Sequence, residues 1–213
     1  ACSEIIVGKF RIFDPDGILI KSDIANYVPS ALSFNGTDYI IAWTDFGISD
    51  DVFGARMTIN GEVLDPDGIL ITNSANKQLN PSLSFDGTNY FVLWEDFRDS
   101  HYNNIYGVRV EADGTVLDPQ GLAITENNDA HLPDVAFDGT NFMVVWINLK
   151  KGENCFGICG TRVSKDGKVL DSRTIQIAEI YPAQKELTTP RIAFDGTNYL
   201  IVWNDLVGYQ PQP

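Results

Sequence analysis

The side chains best equipped for chemistry in this chain are few and far apart in sequence. It has two histidines, His101 and His131. Asp134 and Arg191 stand out because serines, Ser82 and Ser30, hold the matching places in related segments. A carboxylate and a guanidinium that break a serine pattern mark either a ligand pocket or a salt bridge between adjacent units. Asp96, Arg98, Tyr27, Lys77 and Tyr102 join them as residues of the least repeated loops, where a rigid scaffold concentrates binding groups. No G-x-S-x-G, HExxH or phosphate-cradling loop is present. Carboxylate pairs for glycoside hydrolysis stay open, because distant loops can bring two acids together.

What must position these groups is a repeat. The stretch FDGTNYLIVW at Phe194–Trp203 has counterparts beginning at Phe34 (FNGTDYIIAW), Phe85 (FDGTNYFVLW) and Phe137 (FDGTNFMVVW), at steps of 51, 52 and 57 residues. Each copy places an apolar run, a Gly-containing turn and a second apolar run ending in Trp, which reads as a β-hairpin. A further pair of strands follows: Gly54-Ala-Arg56, Gly107-Val-Arg109 and Gly160-Thr-Arg162 each lead through a Gly turn to Val-Leu-Asp. Asp-Pro-x-Gly closes the first two of these units, whereas the third reads Asp171-Ser172-Arg173-Thr174. Four short strands per unit and no helical period predict an all-β chain built as a β-propeller. Features found in every unit, the Trp-x-Asp/Asn endings and the Gly-x-Arg starts, are expected to be structural.

Residues 21–71, 72–124 and 125–177 would be three whole blades, with 178–207 plus 4–20 supplying the fourth. That phase predicts one four-bladed propeller domain over 1–213, closed by pairing of the N- and C-terminal strands, which hides the sheet edges. The rival is an open arc that pairs with a second chain, so the assembly is expected to be a monomer or a homodimer. The motifs FDGTNYxxxW and GxRVxxDGxVLDPxG resemble the tandem repeats of large secreted bacterial proteins, whose units look like propeller blades. In size and blade number the chain is also similar in architecture to hemopexin-type four-bladed propellers. Those often hold a cation or an ion pair in the central tunnel and act as binding modules.

Net charge is −14 with a pI near 4.3. Such a surface repels phosphate backbones and anionic lipid, so no nucleic-acid partner and no membrane insertion are expected. No run of 18 apolar residues occurs. Of the three cysteines, Cys155 and Cys159 would lie about 13 Å apart in an extended strand, so Cys2 with Cys155 is the expected pair. The loops entering the first strands and those leaving the Trp strands share one face. Residues 125–132, with Glu126, Asn127, Asp129 and His131, belong to it. The expectation is a secreted or cell-surface, lectin-like binding or adhesion module. It would hold a glycan or protein on that face through Tyr27, Lys77, Asp96, Arg98, His101, Tyr102, His131, Asp134 and Arg191. No catalytic residue is expected, and a structural cation (Ca or Na) is allowed in the tunnel, held by strand carbonyls. A glycan-active hydrolase using acids on the same face is the alternative, and a structural spacer the third reading.

Overall fold

The repeated hairpin turn is set by one side chain. In each copy the Asn or Asp after Phe accepts backbone N–H bonds from the residues two and three positions on, as Asp86 Oδ1 does from Thr88 (2.7 Å) and Asn89 (2.8 Å). Asn35, Asp138 and Asp195 repeat it. The glycine that follows has φ of 89–99° in all four turns, a backbone region that costs other residues dearly.

The computed structural model describes residues 5–7, 10–12, 17–20, 27–46, 50–99, 102–126, 128–150, 155–179 and 189–204. Among them there is no helix. β1 (Ile5–Val7) and β2 (Phe10–Ile12) pair with each other. The first four-stranded sheet runs β3 (Tyr27–Phe34), β4 (Asp38–Asp45), β5 (Asp51–Thr58) and β6 (Ile69–Thr72). The second runs β7 (Gln78–Phe85), β8 (Asn89–Asp96), β9 (Asn104–Glu111) and β10 (Leu122–Ala123). The third runs β11 (Ala130–Phe137), β12 (Asn141–Asn148), β13 (Gly157–Ser164) and β14 (Ile175–Ala178), and β15 (Arg191–Phe194) with β16 (Tyr199–Val202) forms a last hairpin. Every ladder is antiparallel, and the first strands β3, β7, β11 and β15 lie side by side in that order. This is the propeller-like, all-β arrangement the repeat predicts.

Sheets are joined by their faces. One apolar cluster lies between the first and second sheets, around Ile40, Val52, Ile71, Tyr90, Val92, Trp94 and Val108. A second lies between the second and third, around Phe91, Leu93, Ile105, Phe142, Val144 and Trp146. Within each sheet, side chains of the flanking strands lean over the third strand and leave room only for the glycine of Gly-x-Arg. A Cβ on Gly107 would meet Leu93 at 2.7 Å and one on Gly160 would meet Met143 at 2.6 Å. The arginine of the same motif clamps its own unit shut. Arg56 donates to both Asp65 oxygens (2.8 Å each), Arg109 does the same to Asp118 (2.8 Å each), and Arg162 grips Asp171. Hydrogen bonding from these arginines holds Asp65, Asp118 and Asp171 below the usual carboxylate range. The structural reading of these repeated residues fits the clamps, although the arginine's partner is the Leu-Asp aspartate rather than the one after Trp.

Ile5–Val7 and Phe10–Ile12 pair as β1 and β2. Two expectations need correction. Cys155 bonds Cys159, with Cα atoms 6.0 Å apart. The pairing is possible because Cys155 precedes β13 and Gly157 (φ 99°) turns the chain back, so the segment is not extended. Cys2 lies outside the described residues. Finally, counting back from the shared Phe, the place of Ser82 and Asp134 in the first sheet is held by Ala31, not Ser30: Ala31 opposes Ala42 as Ser82 opposes Leu93 and Asp134 opposes Val145.

The disulfide closes a very short loop. Chain-entropy reasoning gives such a crosslink roughly 2 kcal/mol, so reduction should lower the melting temperature by about 4–8 °C. Thermal melts with and without a phosphine reductant would check this.

Candidate active site

The first strands are bulged near their start, and the bulge makes the site. Register slips between Leu79 and Ser82 in β7 and between His131 and Asp134 in β11. At each slip the residue before proline takes positive φ: Asn80 at 53° and Leu132 at 52°. A leucine in that conformation stores strain that its surroundings must hold. The holder is Glu95. Its Oε1 accepts from Asn80 Nδ2 (2.6 Å) and from the Leu132 backbone N–H (2.7 Å), while Oε2 meets His131 Nδ1 (3.2 Å). This carboxylate is nearly buried, so its three donors compensate its desolvation.

His131 continues the chain outward, its Nε2 lying 3.0 Å from Asp129 Oδ1. Asp129 is the open end, with its side chain 37% exposed. Burial by itself lowers the His131 pKa, but hydrogen bonding and charge from Glu95, then from Asp129, outweigh it and hold the imidazole above its ordinary value. The sign follows from linkage: a group whose folded pKa is raised gives its stabilisation fully below about pH 6.5 and loses it as pH climbs through the folded pKa. Melting temperature should therefore fall between pH 6 and 8.5, and His131→Gln should flatten that slope.

Three residues further along β11, Asp134 links three sheets. Its Oδ1 accepts from Ser82 Oγ on β7 (3.0 Å), and its Oδ2 from the Ile192 backbone N–H on β15 (2.9 Å). Arg191 stands 3.9 Å away, itself 63% exposed. The salt bridge between adjacent units is thus present but long, and Asp134 remains partly open to solvent.

The other expected site residues divide. Asp96 is buried and accepts from Trp94 Nε1 (2.7 Å) and from the Arg98 backbone and guanidinium. Arg98 also lies 3.8 Å over the Tyr106 ring and donates to the Gln120 carbonyl. That pair ties the second sheet together, with both Asp96 oxygens engaged. Lys77 pairs with Asp50 (2.8 Å), and Tyr102 carries Lys150 over its ring at 4.1 Å. Tyr27 begins β3 opposite Asp45, and His101 lies outside the described residues. His131, Asp134 and Arg191 are therefore brought together on β11 and β15, and Lys77, Asp96, Arg98 and Tyr102 are engaged elsewhere. Glu95 was missed. Its sequence signal is the place after Trp, which reads Thr44, Glu95, Ile147 and Asn204 in the four copies, so a charge stands alone there. Among the described residues no group of three or more His, Cys, Asp or Glu side chains is arranged to hold a metal ion.

No protein-family model matches the chain, and no curated protein sequence does. Solved structures do. The chain is similar to a xylan β-1,4-xylosidase from Bacillus halodurans C-125 (TM-score 0.56, 18% identity, 86% of this chain and 38% of that one). It is also similar to an arabinanase from Bacillus subtilis (TM-score 0.55, 13% identity, 83% of this chain and 65% of that one). A sucrose-6-phosphate hydrolase from Lactobacillus gasseri gives a TM-score of 0.55 at 15% identity over 91% of this chain and 43% of its own. The chain thus spans between 38% and 65% of the length of these structures, and the likeness is one of fold. These neighbours are β-propeller glycoside hydrolases, and that overturns the expectation of a non-catalytic binding module in favour of the hydrolase alternative.

Proposed function

We propose that this chain is a propeller unit of a glycan-active hydrolase, cleaving glycosidic bonds at the β11 entrance. One observation carries this reading: two partly open carboxylates, Asp129 and Asp134, flank a single bulge, each held by donors from neighbouring residues or strands. Glycoside hydrolysis needs two carboxyl groups about a bond that develops positive charge on the sugar ring. Asp134 faces that charge. Asp129 takes the proton of the attacking water, the His131 imidazolium that Glu95 backs gives one to the departing oxygen, and the proton on Asp129 then passes to His131 across their 3.0 Å contact. The substrate is a glycan, in keeping with the xylan- and arabinan-directed enzymes whose fold the chain shares.

The reading extends to the whole chain. The outer faces of the first sheet and of the last hairpin leave Leu32 60% and Leu200 66% exposed, apolar surface that ring closure would cover. A closed four-bladed ring in a secreted or cell-surface protein fits that surface, and the Cys155–Cys159 bond suits an oxidising compartment. The test of activity is release of reducing ends from xylan and arabinan and of aryl alcohol from aryl pentosides. No turnover of any of these by the folded, monodisperse protein would sink the proposal.

A further inference from the structure

Asp129 owes its place to one buried amide. Asn148 ends β12, where it stands opposite Ala130 in the ladder, and it is only 1% exposed. Its Oδ1 accepts from the backbone N–H groups of Asp129 and Lys150, each at 3.2 Å. Its Nδ2 donates to the Cys155 carbonyl (2.8 Å) and lies 3.4 Å from Asn128 Oδ1. The Asp129 carbonyl accepts in turn from the Leu149 N–H at 2.9 Å. Both backbone polar groups of Asp129 are thus held by residues 148 and 149, which leaves its carboxylate to reach His131 Nε2 at 3.0 Å.

The far side of the amide is fixed as well. Cys155 is buried and bonded to Cys159, which stands on β13 opposite Trp146. The disulfide pins the segment whose carbonyl Asn148 grips, so the amide bridges a crosslinked stretch of chain and the loop that carries Asp129. The second sheet shows the contrast. There the residue two places after Trp is Asp96, which accepts from Trp94 Nε1 and from Arg98. An ionised carboxylate only accepts, so an aspartate at position 148 could not hold the Cys155 carbonyl. An amide carries acceptor and donors in one plane and serves both sides at once.

We propose that Asn148 is a positioning residue for the Asp129–His131 pair, with the disulfide at Cys155 as its anchor. This role rests on the reading in which Asp129 takes the proton of the attacking water. Asn148 touches no reacting atom and acts through the Asp129 backbone. Misplacing a reacting group by about 1 Å costs as much as about 100-fold in rate. His131 is faced by Glu95 from β8, by Asp129, and by Asn103, whose Nδ2 lies 3.3 Å from Nδ1. Of these three, Asp129 is the one that Asn148 holds.

The test reads His131 directly, by NMR titration of its imidazole, with the His131→Gln spectrum separating its resonances from those of His101. Asp129 is one of the charges that keep the imidazole protonated, so its withdrawal in Asn148→Ala should lower the titration midpoint. On aryl pentosides kcat should fall at least tenfold with KM within threefold of wild type. Cys155→Ala combined with Cys159→Ala keeps the amide but frees its anchor, and should move the midpoint the same way by less. Each variant is first melted, and titrated well below its transition. A midpoint unmoved in folded Asn148→Ala overturns the proposal. Should that variant not fold, an unmoved midpoint in the cysteine variant overturns it instead. A lowered midpoint with kcat unchanged, or in a protein that hydrolyses nothing, upholds the hold of Asn148 on Asp129 and removes Asp129 from the reaction.

Discussion

Asp134→Asn is expected to lower kcat on aryl glycosides about 10³-fold, equivalent to roughly 4 kcal/mol of transition-state stabilisation. The amide has the carboxylate's shape and still accepts a bond from Ser82 Oγ or from the Ile192 N–H, so the three-sheet link is weakened rather than cut. What disappears is the negative charge. A positive charge growing on the sugar ring then meets a neutral group, and the loss should appear in kcat far more than in KM. Melting temperature should move by only a few degrees. Activity within threefold of wild type, measured on protein with an unchanged melt, would reduce Asp134 to a structural link.

The second large effect concerns stability. Glu95→Ala strips the acceptor from three groups at once: Asn80 Nδ2, the Leu132 N–H and His131 Nδ1. A half-buried backbone donor and a half-buried imidazole between two sheets would be left without that partner, and the positive φ of Leu132 would lose its tether. Breaking a buried, hydrogen-bonded charge set costs about 3 kcal/mol, and in a chain of this length that means a fall of about 6–12 °C. Glu95→Gln should recover part of it, because an amide oxygen still accepts from Leu132. A melt unchanged in Glu95→Ala would show that the β11 bulge holds itself.

The architecture was legible because it is written several times. A hairpin that repeats with the same turn residue, the same glycine and the same terminal Trp averages away the local ambiguity of any one strand. Asp134 and Arg191 drew notice for the complementary reason, since they vary where the rest repeats. Three things were not legible. Glu95 reaches Leu132 across 37 positions, and only the bulge before Pro133 brings that N–H to it; no local pattern encodes a bulge. The Cys155–Cys159 bond was hidden because the positive φ of Gly157, at the first residue of β13, bends a segment that reads as extended. Nor was it legible that Asp96, expected both as a repeated Trp-x-Asp ending and as a binding residue, accepts from Trp94 Nε1 and from Arg98. Function was the weakest reading, since a scaffold shared by every blade says nothing of what one strand entrance does.

The arginine clamps have an evolutionary consequence. Each joins residues nine positions apart within one unit, as Arg56 to Asp65, Arg109 to Asp118 and Arg162 to Asp171. Duplicating or losing a unit of some fifty residues therefore carries donor and acceptor together and strands no charge. The Glu95–Leu132 and Asp134–Ile192 bonds have the opposite property, since each spans two neighbouring units. Copying either unit alone would leave a carboxylate or an N–H facing the wrong neighbour. The clamps make the lineage free to multiply blades, whereas the two cross-unit bonds fix which blade must follow which.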